Sequence, residues 1–177
     1  MSKRTMVIYH HTGAWEKDME QVRAYHLRKG WRDIGYNYVI EYDGKIRGGR
    51  PLTISGAHAR GFNAVSVGIA LLGNFMEKPP TEQQIKSCIK LSIMLCKEHK
   101  INPSQLFQHK DKANTLCPGK YFPIKRVLKE TEDGLKPKQD AGKYWRVQTG
   151  AFSSEDNAKD YAKELNKKGI ETYVVYS

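Results

Sequence analysis

Residues 66–72 read SVGIALL, an apolar run of strand length bounded by glycines. A run with no polar alternation is a strand covered on both faces, so it is expected at the centre of a sheet. The flanking sequence supplies partners. Residues 5–9 are a β-rich apolar strand running into His10 and His11. Residues 36–42 form another strand, Asp43 and Gly44 a tight turn, and residues 45–50 the return strand of a hairpin. Residues 51–64 are a long loop carrying Gly56, Ala57 and His58.

Helices fall between the strands. Residues 16–29 place Met19, Val22 and His26 on one face and stop at Gly30. After Pro79 and Pro80, Thr81 and Gln84 form a capping box that opens a helix to about His99. Residues 104–107 read as a short strand delivering His109, and residues 123–132 as a last helix. This alternation predicts an α/β fold: a mixed central sheet flanked by helices, with the hairpin supplying its antiparallel part. Residues 132–142, EDGLKPKQDAG, have linker composition. Beyond them, residues 144–149 alternate as a strand. Ser154 opens a helix with Ala158, Tyr161, Ala162 and Leu165 on one face, Gly169 stops it, and residues 171–176 form a second strand. The expected organisation is a domain at 1–132, a linker at 133–143 and a small C-terminal βαβ unit at 144–177.

The chain has 177 residues, 39% of them hydrophobic and 28% charged, which fits a globular domain with a small appendage. Its net charge is +11, mostly carried by residues 1–135, and so attracts polyanions: nucleic acid, anionic lipid or bacterial wall polymers. No nucleic-acid module or interleaved basic-aromatic stripe accompanies the charge. The apolar runs are far shorter than a membrane span. Neither nucleic acid nor a membrane is therefore an expected partner. The start, MSKRTMVIYHHTG, lacks an apolar signal region, so no signal peptide is expected. Export, if it occurs, is expected to use another route.

Three cysteines cannot build a disulfide framework. Cys88 and Cys96 share a helical face with Ile85, Ile89 and Leu95 and read as small core residues. Cys117 lies instead in a Pro/Gly-flanked loop, within residues 108–121, QHKDKANTLCPGKY. There it follows His109 by eight positions. Both residues are ligands for a borderline-soft metal such as zinc. His10 is the best third ligand, although a lone histidine on an apolar strand is more often a packed core residue. His11 faces the other way along the strand. A His/His/Cys set leaves one tetrahedral position open, the pattern of a catalytic zinc site. His26 reads as a core histidine, His99 as a helix-end residue, and Arg50 and Arg60 as solvated or structural.

Five ordered blocks, VIYHHTG, GWRDIGYNYVI, DGKIRGGR, GAHARGFNAVSVGIALLGNF and HKDKANTLCPG, cover roughly residues 4–130. They resemble the zinc-dependent N-acetylmuramoyl-L-alanine amidases, a family that includes phage endolysins and animal peptidoglycan recognition proteins. The resemblance implies zinc held by His10, His109 and Cys117. It implies Tyr36 beside the zinc water, and Thr115 at the position that helps bind the oxyanion. It sets His58 by the substrate groove. Asn74, after the central strand, either ends that strand or binds the stem peptide. Asn37 and Gln108 depart from the usual histidine and glycine. The tail resembles a SPOR peptidoglycan-binding module but holds one βα repeat of the usual two. Gln148 and Phe152 are its candidate contacts, with Phe152 equally a core residue.

The implied function is hydrolysis of the amide between N-acetylmuramic acid and L-alanine in bacterial peptidoglycan. The alternative is a non-catalytic peptidoglycan receptor of the same fold. Receptors usually lose the cysteine, so Cys117 favours the enzyme. The single repeat of the tail suggests either a homodimer that completes a four-stranded sheet from two chains or a tail docked on the domain at 1–132. With no signal peptide expected, such an enzyme is expected to be made in the bacterial cytoplasm and to act on the wall after release.

Overall fold

Five strands, β1 (Met6–His11), β2 (Tyr38–Ile40), β3 (Ile46–Gly48), β4 (Ser66–Leu71) and β5 (Leu106–Gln108), form one sheet in the order β3-β2-β4-β1-β5. The computed structural model describes residues 3–136, 150–170, 172 and 174. β4 pairs in parallel with β1 and β2, β1 in parallel with β5, and β3 closes the far edge antiparallel to β2. β4 is buried along its whole length, as its lack of polar alternation predicts. The mixed α/β sheet expected from the sequence is the one observed.

The pleat divides the sheet into two faces. Val7 and Tyr9 of β1 and Val67, Ile69 and Leu71 of β4 join the core formed with helices α2 (Glu82–His99) and α3 (Ile124–Leu135). Helix α1 (Met19–Arg28) contributes Met19 and Val22 to a second cluster with Ile34, Val39 and Leu72. Ile8 and His10, paired with Gly68 and Ala70, alternate with the α2-facing residues and so face the opposite side.

Local chemistry sets the helix limits. Thr81 and Gln84 complete both bonds of the capping box, and the amide of Gln84 donates to the carbonyls of Ile40 and Leu72. That pins the first turn of α2 to the ends of β2 and β4. Helix α1 begins later than the pattern suggests because Asp18 is its cap, accepting from the Gln21 N–H at 3.0 Å. Pro103–Gln105 form a 3-10 turn capped by Asn102, so the strand before His109 starts at Leu106 rather than at residue 104. Helix α3 runs past residue 132 to Leu135. Gly134, which reads as linker, is a helical residue where a Cβ would collide with Ile93 of α2. A close helix–helix approach, not a turn, explains that glycine.

The chain divides into two compact units, Met1–Lys138 and Gln139–Ser177. In the second, α4 (Glu155–Lys167) follows Ser154 and ends before Gly169, whose φ is +80°. Ala158, Tyr161, Ala162 and Leu165 form its half-buried face, and Phe152 lies with its ring 5.4 Å from that of Tyr161. The strand expected at 144–149 and most of that expected at 171–176 lie outside the described residues.

Candidate metal centre

β1 carries His10 into the interior, where it is 1% exposed, while His11 points away and accepts the Phe75 N–H at 2.9 Å. β5 ends at Gln108, and a 3-10 turn, His109–Asp111, starts with His109. The Gln108 N–H bonds to the Asp111 carboxylate, which closes this turn. The ring of His109 comes to 4.4 Å from that of His10. Cys117 is brought back to the same place by its loop. Its carbonyl accepts the Lys110 N–H at 2.8 Å, and the Tyr121 N–H donates to the Phe75 carbonyl at 2.9 Å. At Gly119, with φ +100°, a Cβ would collide with the Phe75 backbone. Only a glycine lets the loop lie this close.

Ligand atoms of His10, His109 and Cys117 all lie within 4.8 Å of one another, and this is the metal-capable group found among the described residues. Cys117 Sγ is 3.7 Å from His10 Nδ1. Zinc bonds of 2.0–2.3 Å set tetrahedral ligands about 3.5 Å apart, so the pair fits a shared ion. The electrostatics agree. Burial, with the neighbouring His58 and His109, holds His10 well below the usual imidazole range. Burial also lowers His109. Both rings therefore offer neutral nitrogens at pH 7. Burial pushes the Cys117 thiol up to about 12, so a thiolate here requires a cation beside it. Two neutral imidazoles and one such thiol suit a borderline-soft dication.

A cleft of about 340 Å³ opens over this group. Tyr36 stands in its wall with its ring 5.2 Å from His10, and burial with Cys117 nearby raises its phenol well above the ordinary value. Trp31 stacks on His26 at 4.5 Å, and His26 Nδ1 accepts the Gly35 N–H at 3.2 Å. That bond gives His26 a structural role, as its helical position suggests. Glu16 also lines the cleft, its carboxylate held by the Thr12 hydroxyl at 2.7 Å. Sequence reading did not single it out, because it lies in the loop before α1 and in no metal-ligand pattern.

His58 is among the residues lining the same cleft, and its ring is largely buried. It is 8% exposed, with Nδ1 3.0 Å from His10 Nε2 and Nε2 3.2 Å from Ser66 Oγ. Thr115 serves its own loop: its hydroxyl oxygen accepts the Cys117 N–H at 3.2 Å. Asn74 ties a turn, accepting from the Met76 N–H and donating to Glu77 at 2.6 Å. Neither is among the residues lining the cleft. Gln148 lies outside the described residues. Asn37 staples β2 to its neighbours, accepting from Gly68 N–H and donating to the Arg50 carbonyl. Arg50 donates to the carbonyls of Asp33 and Ile34, a structural use.

Comparison with known proteins follows the same division. Residues 2–120 match the family model described as N-acetylmuramoyl-L-alanine amidase, and residues 141–177 match the SPOR domain. The chain is 36% identical over 105 residues to a peptidoglycan-recognition protein of Drosophila simulans, covering 59% of this chain and 58% of that protein. It thus spans under two thirds of the recognition protein's length. It is 30% identical over 139 residues to the endolysin of Klebsiella phage KP32, covering 73% and 89%. Among solved structures, N-acetylmuramoyl-L-alanine amidase LysC from Clostridium intestinale URNW is similar with a TM-score of 0.70 and 38% identity, covering 74% and 87%.

Proposed function

Since the chain belongs to the N-acetylmuramoyl-L-alanine amidase family, we propose that it hydrolyses the amide between the lactyl group of N-acetylmuramic acid and L-alanine in peptidoglycan. The observation that carries this reading is the convergence of His10, His109 and Cys117 at the floor of one cleft. In the proposal these three hold zinc. Zinc bound there would polarise the scissile carbonyl and make water a usable nucleophile near neutral pH. The retained cysteine supports hydrolysis over binding alone.

The chain's own groups divide the remaining work. Tyr36 stays a phenol and donates a hydrogen bond to the carbonyl oxygen as negative charge develops there. Glu16, the carboxylate sharing the cleft wall with the three donors, accepts the proton released by the attacking water. Trp31 and Tyr25, 38% and 44% exposed beside the cleft, offer flat apolar surfaces to the glycan. Thr115, bonded within its loop, orients Cys117 rather than carrying charge.

The C-terminal unit, matched to SPOR, is proposed to hold the enzyme on glycan and to pair with a second copy. Such pairing would tether two catalytic units at one site and raise their local concentration. The wall is proposed to be reached after lysis or by another route. Among the described residues no helix is long and apolar enough to cross a membrane.

The deciding experiment joins zinc analysis of the purified chain to an assay for new L-alanine amino termini on purified walls. One zinc per chain with new termini is expected. Wall binding without new termini would replace the enzyme with a receptor. Sedimentation of the full chain should give a dimer, and a monomer would remove the pairing.

A further inference from the structure

We propose that His58 and Ser66 are positioning residues that fix the tautomer of His10, leaving its Nδ1 unprotonated and turned toward His109 and Cys117. The proposal rests on the reading of His10 as a metal ligand and adds what keeps that ligand competent.

The direction of each proton follows from Ser66. Its hydroxyl lies 2.7 Å from the Phe62 carbonyl, which can only accept. The one hydroxyl proton is therefore committed there. His58 Nε2, 3.2 Å from the same oxygen, must be the donor of that contact. A neutral imidazole has one N–H, so His58 Nδ1 is an acceptor. His10 Nε2, 3.0 Å away, donates to it. The remaining nitrogen of His10 is Nδ1, the atom 3.7 Å from Cys117 Sγ. One backbone carbonyl, through a serine and a histidine, thus sets which nitrogen of His10 presents a lone pair.

The surroundings leave the relay little freedom. His58 sits in a slot made by two glycines. A Cβ on Gly68 would meet its ring at 2.5 Å, and one on Gly56 at 2.7 Å. The Asn63 carboxamide oxygen accepts both the His58 and the Ala59 N–H at 2.8 Å. Arg4, 4% exposed, donates to the carbonyls of Leu52, Ile54, Asn63, Ala64 and Ser66, so one guanidinium clamps both ends of the loop. The ring of His10 is itself enclosed, with those of Tyr36, His58 and His109 at 5.2, 5.0 and 4.4 Å. Were His10 to carry its proton on Nδ1, that N–H would face the other two ligands and block coordination.

Partners that orient a ligating histidine typically contribute about 10–100-fold to metal affinity. In the full-length chain, zinc affinity measured by competition with a chromophoric chelator should fall about 10-fold in Ser66→Ala and toward 100-fold in His58→Leu. His58→Gln, whose amide can both accept from His10 and donate to Ser66, should recover part of the loss. Long-range ¹H–¹⁵N spectra of the zinc-free and zinc-loaded wild-type chain should show His10 and His58 both protonated at Nε2. Wild-type affinity in both Ser66→Ala and His58→Leu, or a His10 protonated at Nδ1, would overturn the relay. The spectra need no substitution, so a misfolded variant does not spare the proposal. A wild-type chain that takes up no zinc would instead defeat the metal reading, while its histidine spectrum still decides the tautomer.

Discussion

The ring of His58 occupies the space that a side chain on Gly68 would fill: a Cβ there would lie 2.5 Å from His58 Cγ. Gly68 is on β4, opposite Ile8 of β1, in the middle of the buried sheet. A glycine in a central strand normally weakens it. Here its missing side chain makes room for a residue that touches His10.

Gly68→Ala is therefore expected to displace His58 without altering any ligand. Overpacking of this kind costs about 1–3 kcal/mol. Chemical denaturation should show that loss, with weakened zinc uptake beside it. An alanine variant with unchanged stability would mean that the slot is looser than the geometry states.

Cys117→Ser should eliminate wall hydrolysis, because a hydroxyl is a poor zinc ligand at neutral pH. Its zinc affinity should fall by more than the ~10–100-fold that follows loss of an outer partner. Zinc content after gel filtration, set against amino-terminus release from walls, checks both parts.

Tyr36→Phe keeps the ring that packs 5.2 Å from His10 and removes only the phenolic hydrogen bond. Turnover should drop by about 10²–10³-fold, the usual consequence of losing one oxyanion donor, with zinc affinity unchanged. Equal turnover would remove Tyr36 from the mechanism.

Acid should destabilise the metal-free protein in a defined window. Burial holds His58 down at about 3, against an ordinary value near 6.5. Between those values the unfolded chain binds a proton that the folded chain refuses. Stability therefore falls as pH drops below about 6.5, by up to about 1.4 kcal/mol per pH unit from this group, and levels off near 3. His10 is depressed in the same direction and adds to the effect. Denaturation midpoints measured from pH 7 to pH 4 should fall steadily, and His58→Leu should flatten the slope.

Arg4→Met should loosen the loop that carries His58. It leaves five carbonyls without their shared donor. A buried polar group left unpaired costs about 1–3 kcal/mol, and the Asn63 carbonyl keeps the Gly56 N–H at 3.2 Å, so the loss should be about 1–3 kcal/mol. Hydrogen exchange at 51–66 should accelerate more than exchange in α2.

Much of this protein is written locally. The apolar run at 66–72, the capping box at Thr81 and the stop at Gly30 act through neighbouring residues, and each element stands where its own chemistry puts it. The ligand types were legible too, because His109 and Cys117 combine soft donors with a loop that gives the thiol no packing role. Other features required the folded chain. The Thr115 hydroxyl oxygen accepts the Cys117 N–H, and the Asn74 carboxamide bonds Met76 and Glu77, local contacts that no sequence pattern announces. Gly134 has linker character in sequence, yet it lies where α3 presses on Ile93. The relay from Phe62 through Ser66 and His58 to His10 joins positions up to 56 residues apart, and no periodicity links them. Periodicity and capping depend on neighbours within about a turn of chain, so sequence alone determined the elements and the donor types. Which nitrogen faces which partner depends on the parallel register of β1 and β4 and on a loop clamped by Arg4, and only the tertiary structure decided that.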